Sequence, residues 1–151
     1  MHWPKGISAR NELRHDPTHF IDIVPTALEV AGVSEPVKNS ILDAPPRPGQ
    51  SLVGTFAKDG SVNHKVLWWC HADNRAIRMG DWKLSAKDGK KGEWELYNLK
   101  VDRCEMNDLA TQYPEKVKQM SQQWENMTQS FGKRLTAKKN KRGVVTPKSR
   151  S

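Results

Sequence analysis

Paired cysteines, long apolar runs and acidic residues near the C-terminus are all missing from this chain of 151 residues. The two cysteines, Cys70 and Cys104, lie far apart and neither belongs to a C-x-x-C, so no zinc or dithiol spacing is present and a free buried thiol is the plain reading of Cys70. No run of apolar residues approaches membrane-spanning length. Met1-His2-Trp3-Pro4 opens without the apolar stretch of a secretory leader, so neither membrane contact nor an export address within the chain is expected. Apolar residues make up 36% of the chain and the mean hydropathy is -0.79, low for a compact unit, while six tryptophans make the apolar surface that exists bulky. This composition points to part of a larger domain rather than a self-sufficient one.

No acid follows Gly132, and the stretch 133–151 holds eight of the 25 Lys and Arg residues; the 17 that remain balance the 17 acids of residues 1–132. The net charge of +8 therefore describes a tail and not a domain. Residues 133–151 are predicted to form a disordered basic tail, too poor in apolar groups to fold. The tail lacks interleaved aromatics, so nucleic acid is not the expected partner, and a basic-tail nucleic-acid binder stands only as an alternative function.

What is present centres on Val66 to Leu84, VLWWCHADNRAIRMGDWKL. An apolar, tryptophan-rich half is interrupted by His71, Ala72, Asp73, Asn74 and Arg75, and Gly80-Asp81 suits a two-residue hairpin loop because glycine accepts positive φ. Strands are predicted at about Val66–Cys70, Asn74–Met79, Trp82–Lys87 and Glu93–Leu99. In this meander Trp82, Leu84 and Ala86, then Trp94 and Leu96, alternate towards one face. A helix opening at Pro114 supplies the cover through Val117, Met120, Trp124, Met127 and Phe131, spaced by three and four. Upstream, Thr18–Gly32 is predicted as a helix with Asp22 as cap, Pro25 in the first turn and Gly32 as stop. Its apolar positions surround the axis, which calls for cover on several sides. Residues 33–50 read as a proline-rich linker, and Ser51–Phe56 as a short helical turn. Trp3-Pro4 at the start looks like the end of an internal strand running into a turn.

An ordered series of motifs carries a resemblance. Trp3-Pro4-Lys5-Gly6, the run Thr18 to Glu29 with Ala31-Gly32, Pro48-Gly49-Gln50-Ser51-Leu52, Asn74 to Leu84, and Trp94 to Leu99 with Asp102, Glu105 and Asn107-Asp108-Leu109-Ala110 together resemble the C-terminal part of an arylsulfatase of the alkaline-phosphatase-like superfamily, over roughly residues 2–131. The resemblance implies an α+β fold: a four-stranded antiparallel sheet packed by a C-terminal helix (63–132), preceded by the last strand-helix portion of the large α/β domain with its linker (1–62). It implies, for the full-length family, hydrolysis of a sulfate ester by a formylglycine made from the cysteine of C-x-P-x-R or S-x-P-x-R, a calcium ion, and a periplasmic or secreted location.

Neither Cys70, followed by His-Ala-Asp-Asn, nor Cys104, followed by Glu-Met-Asn-Asp, stands in that motif. The catalytic portion is expected upstream of Trp3-Pro4, so this chain is expected to carry no catalytic residue, no metal ligand and no cofactor of its own. It is expected to meet the sulfate ester substrate only together with the missing N-terminal domain. Asp73-Asn74 and Asn107-Asp108 read as turn residues rather than a metal-binding pair. The candidate substrate-binding residues are His71, Asn74 and Arg75. For His71 the alternative is an ordinary strand-end histidine, for Asn74 a turn cap, and for Arg75 a structural ion pair with the large domain. His19 reads as a satisfied core or interface histidine. The expected role is to shape the substrate pocket of a sulfuric ester hydrolase without catalysing alone, and a stand-alone interaction or complementation module is the other alternative.

Overall fold

The computed structural model describes residues 3–33, 48–87 and 92–141, with 133–141 as backbone only. Met1 and His2, most of the proline-rich linker (34–47), the glycine-rich turn at 88–91 and the chain from 142 onward lie outside the described residues. The chain divides into two compact units, Met1–Lys65 and Val66–Ser151.

In the first unit a 3-10 turn, Phe20–Asp22, leads into helix α1, Ile23–Val30, which stops at Gly32. Asp22 does not cap α1 as the sequence predicted. Its carboxylate instead accepts from the backbone N–H of His19 (2.7 Å) and of Gln50 (2.9 Å) and meets Nε2 of His64 at 2.9 Å from both oxygens. It thereby ties three separate segments together with no solvent exposure. The chain at Gly49 passes so close to the Ile21 carbonyl that a Cβ there would lie 2.0 Å from its oxygen, which is why glycine precedes Gln50. Thr26 continues the pattern: its hydroxyl donates to the Asp22 carbonyl (2.6 Å) and accepts from Leu52 N–H (2.9 Å). A second 3-10 turn, Val53–Phe56, follows, and Asp16 gathers the N–H groups of Gly60, Ser61 and Val62. This unit is held by carboxylates and hydroxyls on backbone amides. Val62 is the one buried apolar side chain among its described residues.

The second unit is the predicted meander. Strands β1 (Leu67–His71), β2 (Asn74–Met79), β3 (Trp82–Ala86) and β4 (Glu95–Asn98) form one antiparallel sheet in that order. Two tight loops connect the first three. Gly80 at φ +59° opens the β2–β3 loop as predicted, while Ala72 (φ +45°) and Asp73 (φ +64°) fill the β1–β2 loop in left-handed conformations that favour glycine or asparagine. Because side chains alternate, the register defines two faces. One face carries the row Trp68, Ile77, Leu84, Leu96, and helix α2 (Pro114–Lys141) covers it with Val117, Met120, Trp124 and Met127. Trp124 stacks on Trp68 at 6.0 Å and donates its indole N–H to the Trp69 carbonyl (3.0 Å); Trp68 donates to Thr128 (3.1 Å) and meets Phe131 at 4.9 Å. Trp68 and Trp124 are thus core mass with their N–H groups satisfied.

Two details depart from the sequence expectation. Cys70 is exposed, not buried, because it pairs with Arg75 at the open edge of β1. The helical backbone also runs through Lys141, beyond the last apolar stripe residue at Phe131, where a disordered tail was predicted from Lys133. Lys and Arg have good intrinsic helix propensity, so a helix nucleated on the sheet propagates into them.

Two outcomes test this account. Leu84→Ala should lower the stability of the second unit by about 3 kcal/mol, read as a reduced urea midpoint, while Val101→Ala, at a side chain 80% exposed, should shift it by less than about 0.5 kcal/mol. For Asp22, burial pushes the carboxyl up, but the N–H groups of Gln50 and His19 and the His64 ring outweigh it and hold the group below its ordinary 3.8. The stabilisation is therefore fully present above pH 3.8 and is lost as pH falls through the depressed value. The stability gap between wild type and Asp22→Asn should be constant near neutrality and close progressively in acid, measured by urea unfolding at stepped pH.

Candidate functional site

The face of the sheet opposite α2 holds the site. Its side chains form rows across the strands: Leu67, Arg78, Lys83 and Tyr97; then Trp69, Ala76, Ser85 and Glu95; then His71 beside Asn74 at the end of the β1–β2 hairpin. The middle row places small Ala76 and Ser85 between large Trp69 and Glu95. Small residues in the middle of a row make a floor and large ones at its ends make walls, and a hollow of about 570 Å³ results, with His71 and Asn74 on its lining.

The electrostatics of the hollow draw on groups both in the sheet and in the loop after β4. The carboxylate of Asp102 accepts from the N–H groups of Met106 and Asn107, folding the loop after β4 into a tight turn. Those amides, Asn107 foremost, hold Asp102 below its ordinary 3.8. Within this turn Glu105 takes φ +57° and reaches Lys83, whose Nζ lies 2.5 and 2.7 Å from its two oxygens. Lys83 is therefore a matched charge. Tyr97 is buried, and burial first, with the Glu95, Asp108 and Glu105 carboxylates adding to it, pushes its phenol up to about 12.

The predicted residues divide. His71 and Asn74 face each other in the register and are exposed at the rim. Asn74 donates to the Ala72 carbonyl at 3.4 Å, in keeping with a turn residue. Arg75 points the other way: although it contributes to the lining, its guanidinium lies over Trp94, 4.2 Å from the ring centroid, and donates to the Gly92 carbonyl (2.8 Å). The pleat alternation sends it to the helix-covered face, where it stacks on an aromatic ring. Asn107-Asp108 serve a turn, since Asp108 accepts from Leu96 and Ala110 N–H, both at 2.9 Å. Sequence reasoning did not offer Lys83, Glu95, Tyr97 or Glu105 as site residues. The alternation that placed Trp82, Leu84 and Ala86 on one face already put Lys83 and Ser85 on the other; nothing in the sequence paired Lys83 with Glu105.

With this geometry in view, the chain can be set against known proteins. No family model matches it. It is 33% identical over 109 residues to an uncharacterized sulfatase of Schizosaccharomyces pombe, covering 69% of this chain and 20% of that protein. It is 31% identical over 111 residues to arylsulfatase K of Mus musculus, covering 64% of this chain and 18% of that one. The chain belongs to the sulfatase family. It corresponds to a C-terminal part of these proteins and spans about one-fifth of their length. A solved structure of a protein in complex with its substrate D-glucosamine-2-N,6-O-disulfate superposes with a TM-score of 0.50 at 25% identity, covering 74% of this chain and 24% of that one. The four-stranded antiparallel sheet with its C-terminal helix agrees with that family.

Calcium and formylglycine are implied for sulfatases, but the residues here do not fit either. Both cysteines are exposed and followed by the wrong residues for formylglycine formation, and among the described residues no group of three or more His, Cys, Asp or Glu could hold a metal ion. No described helix is long and apolar enough to cross a membrane.

The hollow can be probed through Tyr97. In a Tyr113→Phe chain, which leaves Tyr97 as the remaining tyrosine, ultraviolet titration should show ionisation only near pH 12. The linked stabilisation should be fully present below pH 10 and lost as pH rises through about 12. Adding Glu95→Gln should bring the midpoint down.

Proposed function

We propose that this chain acts as the non-catalytic wall of the substrate pocket in a sulfuric ester hydrolase, with the open sheet face turned to the organic part of the ester. The observation that supports this most is the hollow itself, lined by polar and aromatic groups on a sheet face that the chain's own helix leaves bare. Ligand sites are concave, with a few polar groups fixing orientation on apolar walls. Here Trp69 offers an aromatic wall, Ser85 and Glu95 offer hydrogen-bonding groups, and His71 and Asn74 offer donors at the rim. Of the three Lys and Arg side chains on the lining, Lys83 is matched by Glu105 and Arg75 is committed to Trp94, which leaves Lys87 and weights the hollow towards the organic moiety over the sulfate group. A dianion needs unmatched donors or cations, which this reading assigns to the part of the enzyme outside this chain.

In this role His71 and Asn74 are specificity residues, and Arg75 is a positioning residue that keeps the β2 end of the rim fixed by its stacking on Trp94. The related protein solved with a glucosamine disulfate is consistent with a hollow that receives a ring bearing hydroxyl or amino groups. The other readings, an independent interaction module and a basic-tail nucleic-acid binder, gain no specific observation from the hollow.

The test joins the full chain to the remainder of a sulfatase. Alone, the chain should release no sulfate from an aryl sulfate. In the combined enzyme, His71→Ala should change the ratio of kcat/KM between two sulfate esters with different organic groups by about three- to tenfold, the scale of one lost polar contact. An unchanged ratio would reduce His71 to a strand-end residue and remove this reading.

A further inference from the structure

The hollow has a rim and an inner part, and the two differ in charge. At the rim His71, Asn74 and Lys87 are exposed, Lys87 following Ala86, which pairs with Arg75 at the hairpin end of the sheet. Farther in, Trp69, Ala76, Ser85 and Glu95 cross the four strands as one half-buried row, with Lys83, Tyr97 and Glu105 beside it. Lys83 and Glu105 cancel, the ammonium lying 2.5 and 2.7 Å from the two carboxylate oxygens, so the inner charge left over is that of Glu95. Among the described residues no Lys, Arg or His forms an ion pair with it. Its polar partner is the Tyr97 phenol, two residues along the same face. Burial first, then the nearby carboxylates, push the ionisation of that phenol up to about 12, so it gives Glu95 a hydrogen bond and no charge.

From this imbalance we infer that Glu95 is a specificity residue that reads an ammonium group on the organic part of the ester. The inference rests on the reading of the hollow as a substrate wall and adds the charge of what the wall receives. A carboxylate partly withdrawn from water is stabilised by donors, and a bond between two charged groups is roughly twice as strong as one between neutral groups. A hydroxyl donates as well, but it leaves the inner part with its negative charge; an ammonium supplies the donor and the charge together. The row fixes where that group lies. Neighbouring strands stand about 4.8 Å apart, so Trp69 on β1 and Glu95 on β4 face each other across a floor two strands wide. A six-membered ring covers Ala76 and Ser85 with the indole at one end. An ammonium one or two bonds from the ring then falls at the other end, beside Glu95 and the hydroxyl of its cross-strand partner Ser85.

Two plainer roles leave Glu95 with capacity to spare. As an acceptor for Tyr97 alone it would use one of the roughly four acceptor sites of a carboxylate. As a partner for Lys87 it would need an ion pair that is not formed, since Lys87 lies past the end of the row, two residues beyond Ser85 on β3. The same charge also orients the ester. A carboxylate in the inner part repels the sulfate group, which is therefore turned away from it, so Glu95 selects the cation and rejects the reversed pose.

The test uses the full chain and two probes that differ in one group, benzylamine and benzyl alcohol, followed through the backbone amide resonances of Ser85 and Glu95. Benzylamine should bind at least about tenfold more tightly than benzyl alcohol, the scale of one charge-assisted bond. Glu95→Gln keeps the side chain's shape and an acceptor for the Tyr97 phenol, and it should bring the ratio close to one. If Glu95→Gln alters the circular dichroism or the urea midpoint, salt carries the test: added sodium chloride should weaken benzylamine and leave benzyl alcohol unchanged. Equal binding of the two probes by wild type, a preference that survives Glu95→Gln, or one indifferent to salt overturns the inference and leaves the substrate wall standing. Resonances that neither probe moves up to its solubility overturn it as well, and the wall is then decided by the His71→Ala ratio in the combined enzyme. In that enzyme para-(aminomethyl)phenyl sulfate should be preferred to para-(hydroxymethyl)phenyl sulfate, and Glu95→Gln should cut the preference by about tenfold, through KM rather than kcat. A preference unmoved by Glu95→Gln, where His71→Ala does change selectivity, keeps the wall and rejects the ammonium.

Discussion

A pleated strand sends successive side chains to opposite faces, and the unit from Val66 to Ser151 depends on that constraint. Once Leu84, Ile77 and Leu96 are committed to the face beneath α2, the same register commits Lys83, Ala76 and Glu95 to the other. Core and hollow are two readings of one alternation. A slip of one residue would exchange them, burying Lys83 and Glu95 under the helix, so the hydrophobic row enforces the geometry of the polar one. Arg75 shows the force of this constraint, because its position in β2 sends it to the aromatic layer despite its neighbours Asn74 and His71 at the rim.

The two units are held by different physics. Val66–Ser151 buries leucine, isoleucine, methionine and tryptophan, and its stability scales with apolar area removed from water. Met1–Lys65 instead relies on three aspartates, Asp16, Asp22 and Asp59, collecting backbone amides from distant segments. Charge-assisted bonds of this kind fix geometry well. They contribute little of the non-directional stabilisation a core supplies.

These differences suit the role proposed for the chain. A rigid, self-cored sheet can hold a concave wall in fixed shape. The pairing of Lys83 with Glu105 also limits what the wall can do: a matched cation aligns and selects, and does not by itself stabilise a developing negative charge.

The meander, its turn at Gly80, the covering helix from Pro114 and the sulfatase resemblance were legible in the sequence, because alternation, helical spacing and turn chemistry are local and leave a local record. What the sequence could not determine were matters of partner and direction. Asp22 looked like a helix cap, yet its carboxylate is claimed by Gln50 and His64 from far along the chain. Glu105 gave no sign of reaching Lys83, since the backbone turn at Asp102 that aims it depends on several amides at once. Nor did the sequence show that Ile23, Val24 and Val30 of α1 stay exposed, because which apolar residues are covered is decided by what packs against them. Sequence by itself determined the elements and the faces within each strand; tertiary structure decided which face is covered, which charges are matched and which apolar surface is left without a neighbour.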